Sequence, residues 1–123
     1  ERAVKKYNEK LQSKIPIKNG VPQLDLIFMG IGEDGHIASL FPDYDFSKKN
    51  KGFVEYISTK SNDLDRITMN LKILNNAKFR IIGIIGEKKI KIVKDLNNRK
   101  INTQHYPANH LLNSNSEDFW VLN

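Results

Sequence analysis

One histidine, placed directly after a glycine-rich loop, is the residue in this chain best suited to acid–base chemistry. The loop runs from Gly30 to Gly35 with the sequence GIGEDG, and His36 follows it. An imidazole titrates near neutral pH, so it can take a proton from water and return it to a leaving group. Asp34 lies two residues earlier, within reach of that imidazole in a non-helical turn. The segment therefore predicts a general base, His36, that Asp34 orients or charge-balances.

A second interpretation of the loop is dinucleotide binding. It spells a literal GxGxxG after an apolar stretch, and Glu55 follows at about the distance of a ribose-binding carboxylate. Glu33 and Asp34 oppose it, because they place negative charge where a pyrophosphate would meet the N-terminus of a helix. Pro42 also leaves too few residues for a crossover helix. We therefore disfavour a dinucleotide site.

The loop glycines themselves also have two interpretations. They can serve backbone geometry alone, in which case His36 merely caps or packs. Alternatively, Gly30, Gly32 and Gly35 allow the backbone to approach a substrate and aim N–H groups at a developing oxyanion. The carboxyl end of a strand is where open α/β folds place their sites. We therefore favour a catalytic loop.

The apolar pattern predicts alternating helices and strands. The expected elements are a helix over 2–14, strands at 24–29, 53–57, 67–71 and 80–85, a short helix at 36–41, a helix at 87–96 with Ile90, Val93 and Leu96 inward, and a last strand in the NSEDFWVLN tail. A polar loop at 43–52 and a turn at 61–65 separate them. This alternation is typical of an α/β fold with a mainly parallel sheet.

Composition narrows the class of protein. The 123 residues suffice for one compact domain or for part of a larger one, and the net charge of +6 suits an anionic partner. The lysine-rich stretch 88–100 lacks the interleaved aromatic residues of a nucleic-acid surface, so a phosphorylated metabolite is preferred. The sequence contains no cysteine, no apolar run long enough to span a membrane and no visible signal peptide. We therefore expect a cytoplasmic protein that binds no membrane.

The other histidines and Ser39 are weaker candidates. His105 and His110 are five residues apart with no Glu between them, which does not fit a helical metal-binding pair. Ser39 lies three residues after His36, but no GxSxG elbow surrounds it. We therefore expect no metal site and no covalent serine catalysis.

The stretch LDLIFMGIGEDGHIASLFPD, residues 24–43, resembles the signature of 6-phosphogluconolactonases, within the wider group of sugar-phosphate isomerases and deaminases. In those enzymes the segment resembles GxGEDGHTASLFP. Ile37 stands where they usually have Thr, and Ile is what the related glucosamine-6-phosphate deaminases carry. The deaminase motif resembles GHIAFNEP, with a catalytic glutamate five residues after the histidine. Phe41 occupies that position here and cannot transfer a proton, so the lactonases are the better match.

Two further segments resemble the same family: RITMNL, which begins at Arg66, and GEKK, which ends at Lys89. In the family these regions help to hold the substrate phosphate, so the resemblance implies that Arg66 and Lys89 bind phosphate. An arginine can grip a phosphate with two hydrogen bonds, and a lysine at a helix start adds to the helix dipole. Alternatively, Arg66 pairs with Asp63 or Asp65, and Lys89 is one more exposed lysine.

The resemblance implies a three-layer, Rossmann-like fold of the sugar-phosphate isomerase type, with a mainly parallel sheet flanked by helices. Family members run to about twice this length, and their amino-terminal half carries a Gly-Gly-Ser/Thr phosphate loop and an Asp-Glu-Arg segment, neither of which occurs here. Residues 1–123 are therefore expected to be the C-terminal part of a single lactonase domain whose N-terminal half is absent.

The implied activity is hydrolysis of 6-phosphoglucono-1,5-lactone to 6-phosphogluconate in the oxidative pentose phosphate pathway. The implied partner is a small phosphorylated sugar lactone, with no cofactor, metal or nucleic acid, and a fusion to or association with a dehydrogenase of the pathway is left open. Two alternatives stand beside it: a glucosamine-6-phosphate deaminase or isomerase, and a non-catalytic sugar-phosphate-binding module.

Overall fold

Helices and strands alternate along the chain in a computed structural model that describes residues 1–58, 65–98, 105–112, 114 and 116–123. In chain order the elements are helix α1 (Arg2–Lys14), strands β1 (Ile17–Lys18), β2 (Val21–Pro22), β3 (Leu26–Gly30), β4 (Val54–Ile57) and β5 (Arg66–Met69), helix α2 (Leu71–Leu74), strand β6 (Phe79–Ile84), a 3₁₀ turn (Glu87–Lys89), helix α3 (Ile90–Asn97), a second 3₁₀ turn (Pro107–Leu111) and strand β7 (Glu117–Leu122). No helix within these ranges is long and apolar enough to cross a membrane.

Three parallel strands form the central sheet, in the order β3-β6-β7. The apolar runs LIFM and RIIGI supply β3 and β6, which pair from Leu26 opposite Phe79 to Gly30 opposite Gly83. One face of the sheet packs against α3 and the second 3₁₀ turn, and its buried side chains form the main core. The parallel sheet predicted from the strand–helix alternation is confirmed.

The opposite face of this sheet is apolar and open. Phe28 on β3 is 73% exposed, and Phe119 and Val121 on β7, beyond β6, are about half exposed. Leu26 and Phe79 extend the same face. A patch of large apolar side chains of this kind marks a surface that another segment or partner covers.

The predicted helix at 36–41 is wrong. The chain instead folds back on itself, through isolated β-bridges from Ile37 to Ile31 and from Ile37 to Leu40. Both Ile37 and Leu40 are completely buried, and Ala38 between them takes a positive φ of 51°. A stretch this short gains little from helical hydrogen bonds, so burial of the two side chains decides its conformation.

Smaller corrections concern element ends. The helix predicted at 87–96 begins as a 3₁₀ turn, and Ile90 is exposed, whereas Ile92 and Leu96 are buried. Leu71, predicted in a strand, begins α2, which the Asn70 side chain caps by accepting a hydrogen bond from the Lys72 N–H. Most of the turn predicted at 61–65 lies outside the described residues.

A short hairpin, β1–β2, went unpredicted. Its turn is Asn19-Gly20, with positive φ at both residues. Asn-Gly between two short extended segments is typical of a type I′ turn, so this signal was available in the sequence.

The Arg80 side chain connects strand β6 to neighbouring loops and to β7 through hydrogen bonds. The residue is completely buried, and its guanidinium donates to both carboxylate oxygens of Asp118 at 2.6 and 2.7 Å. Further hydrogen bonds reach Asn75 Oδ1, the Leu111 carbonyl and Ser114 Oγ. A buried charge that is fully paired in this way fixes the relative positions of the elements that contribute its partners.

Candidate active site

His36 and Asp34 form a close pair just beyond the carboxyl end of β3. The distance from His36 Nδ1 to Asp34 Oδ1 is 2.6 Å, and the same carboxylate oxygen accepts the His36 backbone N–H at 3.0 Å. The two side chains are 35% and 49% exposed, so solvent and substrate can reach them. With Nδ1 held by the carboxylate, Nε2 is the ring nitrogen left to exchange a proton.

The same pair sets the charge of Asp34. Burial acts to raise the pKa of Asp34, but the hydrogen bonds from the backbone and imidazole of His36 outweigh it and hold that pKa below its ordinary value of 3.8. Asp34 is therefore ionised at neutral pH, as the proposed orienting role requires. An ionised carboxylate on Nδ1 also stabilises the imidazolium that forms when Nε2 takes a proton.

Gly32 makes room for the pair. A Cβ at this position would lie 2.1 Å from His36 Nδ1 and 2.8 Å from Asp34 Oδ1, closer than real Cβ contacts. The Gly32 N–H donates to the His36 carbonyl at 2.9 Å. Gly32 thus fixes the His36 backbone and leaves the space that its side chain fills.

Gly35 has a clear structural role in the loop, and its predicted contact with substrate stays a prediction. It is buried with φ of +82°, and a Cβ there would meet Tyr106 and Ile92 at 2.8 and 2.9 Å. Its N–H donates to the Gly32 carbonyl at 3.0 Å. Because the N–H groups of Gly32 and Gly35 are both engaged inside the loop, neither is free to serve as the oxyanion donor that the sequence suggested.

A cleft of about 630 Å³ opens beside His36, large enough for a phosphorylated sugar. Polar or glycine residues of three segments line it, namely Gly30, Gly32, His36, Ser39, Thr68 and Lys89. Lys89 is half buried in this wall at the start of α3, whereas Lys88, Lys91 and Lys94 are exposed. The structure therefore brings Lys89 to the same cleft as His36, although they are 53 positions apart in the sequence.

Arg66 is not among the residues that line this cleft, although Ile67 and Thr68 of the same strand are. Its guanidinium carbon is 5.9 Å from the centre of the Phe41 ring, and that ring is 4.8 Å from the His36 ring. Arg66 Nε is buried without a hydrogen-bond partner among the described residues. The alternative partner Asp65 instead accepts from Tyr56 Oη at 2.5 Å, and Asp63 lies outside the described residues.

The dinucleotide interpretation fails on two observations. No crossover helix follows the glycine loop, since closed turns occupy residues 36–41. Glu55 is buried and accepts hydrogen bonds from Tyr44 Oη at 2.8 Å and Asn50 Nδ2 at 2.7 Å, so it is not offered to a ribose. Burial and this contact raise the pKa of Tyr44 to about 12, which keeps the phenol a hydrogen-bond donor.

The remaining histidines lie elsewhere. The His110 ring stacks on Phe46 with 4.0 Å between centres, and His105 contacts Tyr106. Within the described ranges no group of three His, Asp or Glu side chains is arranged to hold a metal ion. Ser39 does line the cleft, and its backbone N–H donates to Thr68 Oγ1 at 3.1 Å. Thr68, which also lines the cleft, was not predicted as a site residue, although its position two residues after Arg66 on one strand places both side chains on the same face.

Comparison with known proteins gives a consistent family. The family model described as Glucosamine-6-phosphate isomerases/6-phosphogluconolactonase matches residues 1–120. The "Probable 6-phosphogluconolactonase" of Dictyostelium discoideum is 32% identical over 116 residues, which are 93% of this chain and 48% of that protein. The human 6-phosphogluconolactonase is 34% identical over 95 residues, which are 76% of this chain and 36% of that protein.

Solved structures agree on the fold. The devB protein superposes with a TM-score of 0.86 at 27% identity, over 98% of this chain and 50% of that one. The 6-phosphogluconolactonase from Trypanosoma brucei superposes with a TM-score of 0.84 at 23% identity, over 98% of this chain and 50% of that one. The α/β fold expected from the resemblance is confirmed, and the chain spans about half the length of the curated relatives it matches. Because the family model matches residues 1–120 of 123, the chain belongs to the family of glucosamine-6-phosphate isomerases and 6-phosphogluconolactonases.

Proposed function

We propose that the protein containing this chain hydrolyses 6-phosphoglucono-1,5-lactone to 6-phosphogluconate. The observation that carries the proposal is the 2.6 Å contact between His36 Nδ1 and Asp34 Oδ1 at the edge of a cleft that Lys89 also lines. This arrangement offers a base for water and a cation for a phosphate. The names of the curated relatives supply the substrate class.

His36 acts first as a base and then as an acid. Nε2 accepts a proton from water while the water oxygen bonds to the lactone carbonyl carbon. The tetrahedral intermediate then collapses, the bond from that carbon to the ring oxygen breaks, and the imidazolium returns its proton to the departing oxygen. Atoms balance with water alone, so these steps call on no further reactant.

Lys89 and Arg66 are proposed to hold the 6-phosphate. The half-buried Lys89 ammonium at the start of α3 adds its charge to the positive end of the helix. Arg66 has a buried Nε with no described partner, which a phosphate oxygen can satisfy after a small rearrangement around Phe41. Gly30 and Gly32 line the same cleft as the base.

Phe41 distinguishes the proposed lactonase site from a deaminase site. Its phenyl ring lies 4.8 Å from the His36 ring, where the deaminase motif has a glutamate. A phenyl group cannot donate or accept the proton that ring opening of an amino sugar needs. The site is therefore better suited to an already activated lactone.

The decisive experiment measures lactone hydrolysis by the longest natural chain containing this segment. Spontaneous lactone opening is subtracted, and His36→Ala is compared with His105→Ala, a histidine outside the cleft. We expect His36→Ala to lower kcat by about 10²- to 10⁴-fold and His105→Ala to have little effect. Equal rates for His36→Ala and the parent would refute the mechanism.

The same preparation tests the two alternatives. Ammonia release from glucosamine 6-phosphate would indicate a deaminase. Binding of 6-phosphogluconate by calorimetry, with turnover of neither substrate, would indicate a non-catalytic binding module.

Residues 1–123 are further proposed to be the C-terminal part of a single lactonase domain. The coverage of only 48% of the Dictyostelium relative and 36% of the human one, together with the open apolar sheet face around Phe28, supports this proposal. Sequencing the complete reading frame tests it: an upstream segment with a Gly-Gly-Ser/Thr loop is expected, and a frame without one would refute it. A cytoplasmic location and an association with a pathway dehydrogenase stay predictions, testable by fractionation and co-purification.

A further inference from the structure

We propose that Thr68 is a positioning residue, which fixes the distance between the base His36 and the phosphate-binding Arg66. The inference rests on the proposed function of these two residues. Thr68 belongs to β5, and among the described residues β5 pairs with β4 alone, in a two-stranded sheet separate from the parallel sheet that precedes His36. A specific contact between the two units is therefore needed to hold base and cation at a constant separation.

The Thr68 hydroxyl supplies such a contact. It accepts the Ser39 N–H at 3.1 Å, and it lies 3.1 Å from the Met69 carbonyl, to which it donates. A hydroxyl has one proton, so donation to Met69 leaves its lone pairs directed elsewhere, toward Ser39. Thr68 is only 4% exposed, so water competes little for this hydrogen bond.

The segment held by Thr68 is a turn that its own sequence does not favour. Ile37 and Leu40 exchange backbone hydrogen bonds at 3.3 and 2.9 Å, which makes Ala38 and Ser39 the two residues at the tip. Ala38 has φ of +51°, a conformation that is unfavourable for residues with a Cβ. Such a turn persists where neighbouring segments stabilise it. The hydrogen bond from the Ser39 N–H to Thr68 Oγ1 stabilises the tip of this turn.

Thr68 and Arg66 are two positions apart on one strand, so their side chains share a face. The turn tip joins directly to His36 through Ile37, while Arg66 reaches the same region through its contact with the Phe41 ring. Loss of the Thr68 contact would let the β4–β5 unit shift relative to His36. A substrate anchored by its phosphate would then present its carbonyl at the wrong distance from Nε2, and a misplacement of about 1 Å can cost about 100-fold in rate.

Thr68→Val tests the inference, because it keeps the shape of the side chain and removes the acceptor. In the longest natural chain, we expect kcat for the lactone to fall at least tenfold with KM changed less than about threefold. Thr68→Ser, which keeps the hydroxyl, should retain kcat within about threefold. A rise in KM at constant kcat would overturn the inference, since it would mean that Thr68 contacts the substrate directly.

The strained turn offers a second, independent test. Ala38→Gly removes the Cβ that makes the positive φ costly, so the turn should then depend less on Thr68. The fold-loss in kcat from Thr68→Val should accordingly be smaller in the Ala38→Gly background than in the parent. An equal loss in both backgrounds would overturn the inference.

A readout without turnover keeps this inference separate from the proposed function. Hydrogen exchange of the Ser39 amide should accelerate at least tenfold in Thr68→Val and stay slow in Thr68→Ser. Unchanged Ser39 exchange would overturn the positioning contact, even where the lactone is hydrolysed. If the parent does not hydrolyse the lactone, the proposed function is overturned instead. The exchange rate of the Ser39 amide then still tests the hydrogen bond between Ser39 and Thr68.

Discussion

Replacement of Gly32 by alanine should damage the site through a steric effect on one imidazole. The added methyl group would lie 2.1 Å from His36 Nδ1 and 2.2 Å from Cε1. The backbone at Gly32 does not have the positive φ that penalises alanine, so the chain itself tolerates the change. The collision with His36 is therefore the principal consequence.

The size of the effect follows from these distances. Real Cβ contacts essentially never fall below 3.0 Å, so the imidazole must retreat from 2.1 to 3.0 Å, by about 0.9 Å. That movement breaks the 2.6 Å contact with Asp34, which also lies 2.8 Å from the new methyl group. A misplacement of about 1 Å costs about 100-fold in rate, or about 2.7 kcal/mol of transition-state stabilisation. Stability should change by less than about 1 kcal/mol, because the displaced ion pair is partly exposed to solvent.

Lactone hydrolysis and thermal unfolding of the longest natural chain measure both quantities. Gly20→Ala is the matched control: Gly20 has φ of +76° in the β1–β2 turn, with no atom within 4 Å of an added Cβ. It should lower stability by about 1 kcal/mol without lowering kcat/KM. A Gly32→Ala enzyme that retained more than about a third of the parent kcat/KM would refute the steric reasoning, and so would an equal loss of activity in Gly20→Ala.

Three further predictions concern the proposed phosphate site, the core and the pH dependence of stability. In steady-state kinetics, Lys89→Gln should raise KM at least tenfold with kcat nearly unchanged, whereas Lys88→Gln, at an exposed neighbour, should change neither. Equal effects of the two substitutions would contradict phosphate binding by Lys89. Arg80→Met should lower the free energy of unfolding, measured in urea titrations, by about 3–5 kcal/mol, because it leaves the Asp118 carboxylate largely buried and unpaired. Adding Asp118→Leu should recover part of this loss. A loss below about 1 kcal/mol would contradict the role of Arg80 as a buried, paired charge. Burial lowers the pKa of His110 from 6.5, so the unfolded chain takes up a proton there at a higher pH than the native chain, and stability should decline as the pH falls below about 6.5. His110→Gln should remove that part of the decline, and an unchanged pH slope in urea titrations would contradict it.

The strands of the parallel sheet were predictable because they carry strong local signals. The runs LIFM and RIIGI combine apolar, often β-branched residues with a glycine at or just beyond their ends, and they form β3 and β6. The helix over 2–14 likewise follows from its apolar period and matches α1. In these segments local preference and burial favour the same conformation.

The errors lie where local preference and burial disagree. The stretch 36–41 contains helix-compatible residues, yet the burial of Ile37 and Leu40 against other segments produces closed turns and a positive φ at Ala38. The inward face of α3 was also misassigned, because Ile90 points away from a core whose position the sequence does not give. The engagement of the Gly32 and Gly35 N–H groups depends on the same unpredicted turns.

The sequence by itself determined the chemistry available to this protein: an imidazole, a carboxylate two residues before it, and glycines that leave space around them. These relations are local, so residue type and spacing along the chain suffice to specify them. Only the tertiary structure decided which distant groups lie near His36. Packing of separate elements around buried side chains brings Lys89 and Thr68 to its cleft and Arg66 to the Phe41 ring. That packing reflects the burial of apolar surface summed over the whole chain, a quantity that no single segment contains.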